Sequence, residues 1–287
     1  MKLSIITINY NNSVGLERTL NSVLTQTYGE FEHIIVDGAS TDNSVNVIKE
    51  YVRKVESGEW RVKSVVWTSE PDNGIYNAMN KGIRKASGEY IQILNSGDML
   101  ATPDVTQRMM EALDKLVNGN WSLVSQVPIL YGNMIKKDYA TGKIIGKSGE
   151  VEYSLRNYYS STMNHDCCYI RRDLFEKYGL YDEDLKIVSD WKWFLQVVGL
   201  GNMKPEYVDI DVTVFDASGI SETNLELRKK ERRQVLEKLI PPAVLADYDK
   251  YAFSTSQYDR LKKYHLWPLV YFIERVFFKL EKWHILK

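Results

Sequence analysis

The sequence predicts an α/β fold with a mainly parallel sheet and helices packed on both of its faces. Over the first hundred residues, short runs rich in β-branched residues alternate with longer segments in which apolar residues recur at helical spacing. This alternation is typical of strand–helix–strand units with right-handed crossovers. In addition, three of the predicted strands end in polar or acidic residues, in "ITINYNN", "IIVDGASTD" and "ILNSGD".

Four strands and three helices are predicted in this part of the chain. The strands lie in "LSIITI", "FEHIIVDG", "RVKSVVWTSE" and "EYIQIL". The first helix follows a cap at Asn12 or Ser13, and its apolar face carries Leu16 and Leu20 at helical spacing. The second helix lies in "TDNSVNVIKEYVRKV" and the third in "GIYNAMNKGIRKAS".

The alternation of strands and helices becomes looser beyond residue 100. A helix is predicted in "PDVTQRMMEALDKLV", where Pro103 suits the first turn. Residues 121–160 are expected to form strands and turns, and two short helices follow in "RRDLFEKYG" and "SDWKWFLQVVG". The segment "LELRKKERRQVLEKL" has the charge density of a helix with a solvated face.

The bulk composition is that of a globular protein, since 44% of the 287 residues are hydrophobic and 26% are charged. A net charge of −1 provides no field that would attract nucleic acid, so no nucleic-acid partner is predicted. The two cysteines, Cys167 and Cys168, are adjacent and unsuited to an unstrained disulfide, which favours a reducing compartment. The N-terminus is interpreted as a strand rather than a signal peptide, no run is long enough to span a bilayer, and a cytoplasmic location is expected.

The segment 264–287 differs from the rest of the sequence. Its aromatic and aliphatic residues are interleaved with Arg275, Lys279, Lys282 and Lys287, which is the composition of a helix lying in a membrane interface. A C-terminal helix that docks on the domain, or on a second subunit of a homodimer, would have the same composition. Both interpretations stay open at the level of sequence.

The polar strand ends predict a binding crevice. In a parallel sheet the carboxyl ends of the strands lie along one edge, which would bring Asn9, Tyr10, Asp37 and Asp98 together. The first strand is not followed by a G-x-G-x-x-G fingerprint, and no G-x-x-x-x-G-K-[ST] loop is present to wrap phosphates. A divalent cation on Asp98, Mg²⁺ or Mn²⁺, is the alternative way to hold a diphosphate, because the substrate's own oxygens and water complete its coordination.

Several of these segments also resemble family 2 glycosyltransferases, which have the GT-A fold. The run "SIITINYNNSVGLERTLNSVLTQTY…FEHIIVDGASTDNS" is similar to the start of that family, with Ala39 inserted into the D-G-S-T-D pattern. The run "EPDNGIYNAMNKGIRKASGEYIQILNSGD" resembles the segment that leads to the family's D-x-D motif, in a version that reads L-N-S-G-D. The resemblance is close over residues 3–104 and looser to about residue 200.

This resemblance implies a Rossmann-like, mainly parallel sheet flanked by helices, with a helical C-terminal extension. We expect a glycosyltransferase domain at 1–220, with a nucleotide-sugar half at about 1–104 and an acceptor half at about 105–220. Residues 221–287 would form the helical extension.

The resemblance also implies roles for individual positions. The base and ribose of the donor would contact Thr7, Asn9, Tyr10 and Asp37, and the sugar and diphosphate would lie near Asp72, Asn77, Asn80 and Lys81. Asp72 and Asn80 have a second interpretation as helix caps. Asn95, Ser96, Gly97 and Asp98 correspond to the metal-binding segment. Because Asn95 and Gly97 stand where many members have acidic residues, Asp98 would be the metal ligand.

A second acidic residue is needed to accept the proton of the acceptor hydroxyl. By the resemblance, "IVSDWKWFLQ" places this general base at Asp190, and "GLYDE" resembles the turn that precedes it in the family. Asp190 has the alternative role of a helix cap. His165 is either a packed, hydrogen-bonded residue or a contact to the donor diphosphate or the acceptor, and Trp191 either stacks on the acceptor sugar or fills the core.

The predicted function is that of an inverting glycosyltransferase of the hexosyltransferase type. A nucleotide-sugar donor, expected to be a UDP-sugar, would be joined to a saccharide or lipid-linked saccharide, as in the synthesis of bacterial surface polysaccharides at the inner face of the cell membrane. A nucleotidyltransferase and a non-catalytic nucleotide-sugar binding protein are the alternatives. The sequence lacks the Gly-rich basic loop that a nucleotidyltransferase typically has after its first strand.

Overall fold

The computed structural model describes residues 2–118, 127–217, 224–250 and 267–282, and these residues include a nine-stranded sheet. The strands are β1 Leu3–Asn9, β2 Phe31–Asp37, β3 Ser64–Ser69, β4 Tyr90–Ile93, β5 Met99–Leu100, β6 Ile129–Lys137, β7 Ile144–Lys147, β8 Cys168–Arg171 and β9 Glu206–Asp216. The helices are α1 Ser13–Leu24, α2 Ser44–Glu56, α3 Ile75–Lys85, α4 Val105–Asn118, α5 Leu155–Ser160, α6 Asp173–Tyr178, α7 Ser189–Phe194, α8 Leu225–Leu239, α9 at 242–250 and α10 Trp267–Lys282.

The strands are ordered β3-β2-β1-β4-β8-β6-β9-β5, and β7 pairs with β6. The four strands predicted from the alternation are β1 to β4, and they pair with one another in parallel. Beyond β4 the sheet becomes mixed, because β8 runs antiparallel to both β4 and β6 while β9 runs parallel to β6. The carboxyl ends of β1, β2 and β4 therefore share one edge of the sheet, as the sequence predicted.

The helices of the parallel half pack on both faces of the sheet. On one face, Leu16 of α1 and Ile48 of α2 join Leu3 and Phe31 in a buried apolar cluster. On the other face, α3 approaches β1 closely at Gly82. A Cβ atom at this position would lie 2.4 Å from Cγ2 of Ile6, so glycine is required for the helix to lie at this distance.

The part of the chain beyond β4 contains strands that the sequence analysis did not identify. β8 and β9 were not predicted, although β9 is 11 residues long and pairs with both β6 and β5. The predicted helix in "SDWKWFLQVVG" begins as α7 and continues as a π-helix at Leu195–Leu200. Both cysteines are buried and free.

The described part of the chain divides into two compact units, Met1–Arg232 and Arg233–Lys287. In the second unit, α10 exposes large apolar side chains, among them Phe272 at 65% and Phe277 at 53%. No helix among the described residues is both long and apolar enough to cross a membrane. Residues 264–266 and 283–287 of the C-terminal segment lie outside the described residues.

Candidate functional site

A cavity of about 590 Å³ opens at the carboxyl edge of the parallel strands, within the first unit. Eight of the residues predicted for the site line it: Asn9, Tyr10, Asp72, Asn95, Ser96, Asp98, His165 and Asp190. The cavity therefore brings together the ends of β1 and β4, the segment before α3 and the start of α7. Groups predicted for the donor and for the acceptor reaction thus line one continuous space.

Tyr10 and Asp72 flank the turn that follows β2. A Cβ atom added to Gly38 would meet Oδ2 of Asp72 at 2.5 Å and Cδ2 of Tyr10 at 3.2 Å, so the glycine lets both side chains approach the backbone. Tyr10 is 67% exposed although it lines the cavity. An exposed aromatic ring in such a position offers a face on which a planar base can stack.

Asp37 organises the same turn but does not line the cavity. Its buried carboxylate accepts hydrogen bonds from Asn9 Nδ2 at 2.8 Å, Ser69 Oγ at 2.6 Å, and both the backbone N and Oγ of Ser40 at 3.0 and 2.6 Å. Burial raises the pKa of Asp37, but these hydrogen bonds outweigh it and leave the pKa below its usual value. The bonds hold the turn in which Ala39 adopts a φ of 60°, an uncommon backbone conformation for a residue with a side chain.

Five further predicted donor residues lie outside the cavity lining. Thr7 is buried against Nε2 of His33 at 3.0 Å, and Lys81 pairs with Glu70 at 2.9 Å. Asn77 and Asn80 instead fix the turn before α7. Each donates to the carboxylate of Glu183, and Asn80 also exchanges hydrogen bonds with the backbone of Tyr181. Gly97, in the turn before Asp98, has a φ of +111°, a backbone conformation that glycine adopts readily.

Asp98 is held in place by the distant end of β9. Its Oδ1 accepts from the backbone N of Asp216 at 2.9 Å, and the Asp216 carboxylate pairs with Arg18 at 3.0 Å. Asp98 is only 3% exposed, and burial together with the nearby charge of Asp166 raises its pKa to about 8. The carboxyl group therefore lies where a negative charge is poorly compensated by the protein.

The residues present fit a divalent cation that is bound jointly with a substrate. Asp98 and Asp216 both line the cavity, and the Asp98 side chain accepts the backbone N–H of Asp216 through Oδ1. A cation beside Asp98 would supply the positive charge that this buried carboxylate lacks. Among the described residues no group of three or more potential ligands is arranged to hold a metal by itself. Mg²⁺ is commonly bound by one or two carboxylates with phosphate oxygens and water, which matches this donor set.

Asp190 lies at the start of α7, and both of its carboxylate oxygens are hydrogen bonded. Tyr76 Oη donates to Oδ1 at 2.8 Å, and Nδ1 of His165 lies 3.2 Å from Oδ2. Burial raises the pKa of Asp190, but the hydrogen bond and charge of His165 and the hydrogen bond of Tyr76 outweigh it and leave the pKa lowered. Asp190 is therefore an ionised carboxylate that faces the cavity in a fixed orientation.

His165 connects Asp190 with Asn95, at the start of the turn that carries Asp98. Its Nε2 lies 3.2 Å from Nδ2 of Asn95, while Oδ1 of Asn95 is buried without a hydrogen-bond partner. Burial lowers the pKa of His165, but the hydrogen bond and charge of Asp190 outweigh this effect and raise it above its usual value. A rotation of the Asn95 amide would present its oxygen to a protonated Nε2, so this contact accommodates both protonation states.

The two tryptophans of α7 both belong to the core. Trp191 is 1% exposed and donates from Nε1 to the carbonyl of Tyr158 at 2.7 Å. Trp193 is 2% exposed and stacks on Phe175 with a centroid distance of 4.7 Å. Neither ring lines the cavity.

The sequence analysis missed several residues that complete the site. Asn12, Tyr76, Lys186, Phe215 and Asp216 line the cavity but were not predicted to. Tyr76 could have been suspected from its place in the segment "GIYNAMNKG", whereas Asp216 follows no recognised pattern and lies at the end of an unpredicted strand.

Sequence comparisons identify relatives along most of the chain. The family model described as "Glycosyl transferase family 2" matches residues 4–179. A glycosyltransferase of Mycobacterium tuberculosis, named as uncharacterized, is 32% identical over 224 residues, which is 76% of each chain. A PGL/p-HBAD biosynthesis glycosyltransferase of Mycobacterium bovis is 24% identical over 216 residues, covering 75% of this chain and 77% of the relative.

Two solved structures resemble the fold. A crystal structure of S. aureus TarS in complex with UDP has a TM-score of 0.53 at 19% identity, covering 75% of this chain and 60% of that one. A mannosyltransferase of Pyrobaculum calidifontis in complex with GDP-Man and Mn²⁺ has a TM-score of 0.60 at 17% identity, covering 83% and 64%. The chain thus spans about three fifths of the length of these solved chains. The predicted α/β fold class of GT-A type is confirmed.

Proposed function

This chain belongs to glycosyl transferase family 2, and from that premise we propose that it transfers a sugar, with inversion, from a nucleotide-diphosphate donor to a saccharide hydroxyl. The observation that carries the proposal is the lining of a single cavity by Tyr10, Asp98 and Asp190. These residues offer an aromatic face for a base, a carboxylate for a cation and an ionised acid for a proton. A nucleotide-sugar transferase of this kind requires all three functions.

The donor is proposed to be a UDP-sugar. UDP is bound to one of the solved structures with this fold, and GDP-Man with Mn²⁺ to the other. In our proposal the base stacks on Tyr10, while Asn9 and Asp72 contact the nucleoside. Direct contact of Asp37 with the base, as predicted from the resemblance, would require a hydrogen bond from Asn9 or Ser40 to yield to the nucleobase.

The proposed reaction is a direct displacement at the anomeric carbon. The acceptor oxygen attacks this carbon from the face opposite to the diphosphate, the bond from the carbon to the diphosphate oxygen breaks, and Asp190 takes the proton of the acceptor hydroxyl. Tyr76 and His165 hold the carboxylate in the orientation needed to receive that proton. A divalent cation, when bound by Asp98, would neutralise the charge that develops on the departing diphosphate.

Family membership favours this proposal over the two alternatives raised from the sequence. A nucleotidyltransferase would release pyrophosphate from a nucleoside triphosphate, and a non-catalytic binding protein would have no use for an oriented, ionised Asp190. The acceptor is proposed to be a saccharide or a lipid-linked saccharide, by analogy with the biosynthetic role named for the M. bovis relative.

A panel of nucleotide sugars and saccharide acceptors tests the proposal. We expect one acceptor to gain the mass of one sugar residue, with release of the nucleoside diphosphate from the donor. The coupling constant of the new anomeric proton in NMR should show the configuration opposite to that of the donor. Retained configuration, or pyrophosphate released from a triphosphate, would overturn the mechanism.

We further propose that α10 contacts the surface of a membrane at its inner face. Its exposed Phe272 and Phe277 supply apolar area, and the exposed Arg275 of the same helix would face anionic lipid. Deletion of 264–287 is therefore expected to move most of the protein from the vesicle-bound to the free fraction in sedimentation with phosphatidylglycerol vesicles.

The double substitution Phe272→Glu and Phe277→Glu in the full chain should have the same effect, because it removes apolar area without shortening the protein. Light scattering on the same samples distinguishes the alternative of a dimer. Unchanged vesicle binding together with a halved mass would show that the helix joins two subunits instead.

A further inference from the structure

A second cavity, of about 480 Å³, lies in the acceptor half of the first unit and is separate from the site described above. It is lined by hydroxyl, amide and charged side chains and by backbone: Ser148, Gly149, Glu150, Val151, Glu152, Asn157, Ser160, Ser161, Thr162, Asn164, Arg228 and Arg232. None of these residues was assigned a function from the sequence. A polar lining of this kind is suited to a hydrophilic ligand rather than an apolar one.

The second cavity borders the first at one pair of consecutive residues, and one further contact lies near that border. Asn164 lines the second cavity and His165 lines the first. Likewise, the guanidinium of Arg232 lies 4.8 Å from the ring centroid of Trp191, the residue that follows Asp190. An extended molecule whose reactive hydroxyl lies at Asp190 would have to cross this border to place its next unit in the second cavity.

Two arginines of α8 concentrate positive charge in this cavity. Arg228 and Arg232 are four residues apart and so lie on the same face of the helix. Arg232 donates from Nη1 to the carbonyl of Ser160 at 2.9 Å, while its Nε is buried without an acceptor. Burial and the charge of Arg228 lower the pKa of Arg232, whereas the charge of Asp190 acts in the opposite direction. An anion beside Arg232 would stabilise its charged form.

The remaining polar groups suggest what carries that charge. Nδ2 of Asn157 is a second buried donor without an acceptor at this cavity. Glu150 and Glu152 line the cavity as well, and both are exposed. Carboxylates of this kind accept hydrogen bonds from hydroxyl groups but repel a ligand that is anionic throughout. The lining therefore matches a molecule with many hydroxyl groups and one localised anionic group.

We propose that this second cavity binds the acceptor through an oxyanion carried by the saccharide, with Arg228 and Arg232 as its partners. The oxyanion is a carboxylate or a phosphate ester, since a guanidinium pairs with either in the same two-point geometry. The inference rests on the proposed function in that it makes this saccharide the acceptor of the transfer. The binding itself does not depend on the chemistry at Asp190.

Ligand-observed NMR tests the binding in the presence of saturating UDP. The probes are methyl β-D-glucuronide, glucose 6-phosphate and, as the uncharged reference, methyl β-D-glucoside. We expect at least one anionic probe to bind about tenfold more tightly than the neutral glucoside, with a preference that weakens as salt is added. The stronger of the two anionic probes identifies the oxyanion as carboxylate or phosphate.

The substitution Arg228→Gln should weaken binding of that probe about tenfold and leave the affinity for UDP unchanged. Arg232→Gln should do the same, but it also removes the contact with Trp191, so Arg228→Gln serves as the primary variant. Lys230→Gln is the matched control, because it removes the same charge from an exposed position of the same helix. It should bind like the unaltered protein.

Equal binding of all three probes, or equal weakening by Lys230→Gln and Arg228→Gln, would overturn the proposal. Failure of the proposed function gives a different pattern. If no donor sugar is ever transferred but Arg228→Gln still selectively loses the anionic probe, the cavity is an anionic saccharide site in a protein whose reaction has been misassigned.

Discussion

Asp190→Asn is expected to lower the kcat of sugar transfer by about 10³-fold, within the range of 10² to 10⁴ that general-base catalysis contributes. The affinity for UDP should stay within twofold, because Asp190 is assigned to the acceptor rather than to the nucleotide. The substitution preserves the shape of the side chain, and Tyr76 can still donate to the remaining oxygen at its present distance of 2.8 Å. The loss would therefore reflect the missing proton acceptor and not a displaced helix.

The amide nitrogen of the new side chain would face Nδ1 of His165, which lies 3.2 Å from Oδ2 in the present structure. That contact persists only if the imidazole is neutral and carries its proton on Nε2. The variant should accordingly lose the raised pKa of His165, and the histidine resonances in NMR would titrate at a lower pH than in the unaltered protein.

Initial rates at saturating donor and acceptor measure the effect, and calorimetry measures the affinity for UDP. Asp184→Asn is a suitable control, since it removes an exposed carboxylate six residues earlier in the same segment. Near-normal turnover in Asp190→Asn would show that the acceptor proton leaves by another route, and the assignment of the base would be withdrawn.

The second large effect is expected from Asp98→Asn. This change should remove the difference between UDP binding with and without Mn²⁺, and it should lower kcat/KM by about 10²-fold, since a cation at a leaving group contributes several kcal/mol. An amide oxygen at this position can still accept from the backbone N of Asp216, which now lies 2.9 Å from Oδ1. The fold around the turn should therefore survive.

Metal-free thermal unfolding provides the structural control for this variant. Asp98 and Asp166 are both buried, and the charge of Asp166 raises the pKa of Asp98, so removing the Asp98 carboxyl group should not lower the melting temperature. Asp104→Asn, which removes an exposed carboxylate just after β5, should leave metal-dependent UDP binding unchanged. Persistent Mn²⁺ dependence in Asp98→Asn would contradict the assignment of Asp98 as the metal ligand.

The elements of the parallel half could be predicted because their signals are local. β1 and β2 are short runs rich in Ile that are buried along their whole length, and α3 has a sharply divided apolar face, so period and turn chemistry identify them without knowledge of their partners. β9 also alternates, with Val208, Ile210 and Val212 separated by acidic residues, and this pattern was overlooked. A mixed sheet gives no regular succession of strands and helices from which a missing strand could be inferred.

The contacts of the site depend on distances that sequence does not encode. Asp98 and Asp190 were both identified by pattern, but the hydrogen bond of Tyr76 to Asp190 joins residues 114 positions apart. For the same reason, the prediction could not distinguish donor contacts from supporting contacts. Asn80 and Asp37 lie in a recognisable segment, yet each uses its polar atoms to fix a turn of the protein.

The hydrogen bond from the backbone N of Asp216, at the end of β9, to Asp98 affects the order in which the site forms during synthesis. The two residues are separated by 118 positions, whereas the pairings among β1 to β4 join residues 28 to 87 positions apart. At roughly 5–20 residues per second, a ribosome needs on the order of ten seconds to travel from one partner to the other. The nascent chain can thus assemble β1 to β4 while Asp98 still lacks its anchor, so the proposed site is complete only after nearly the whole first unit has been synthesised.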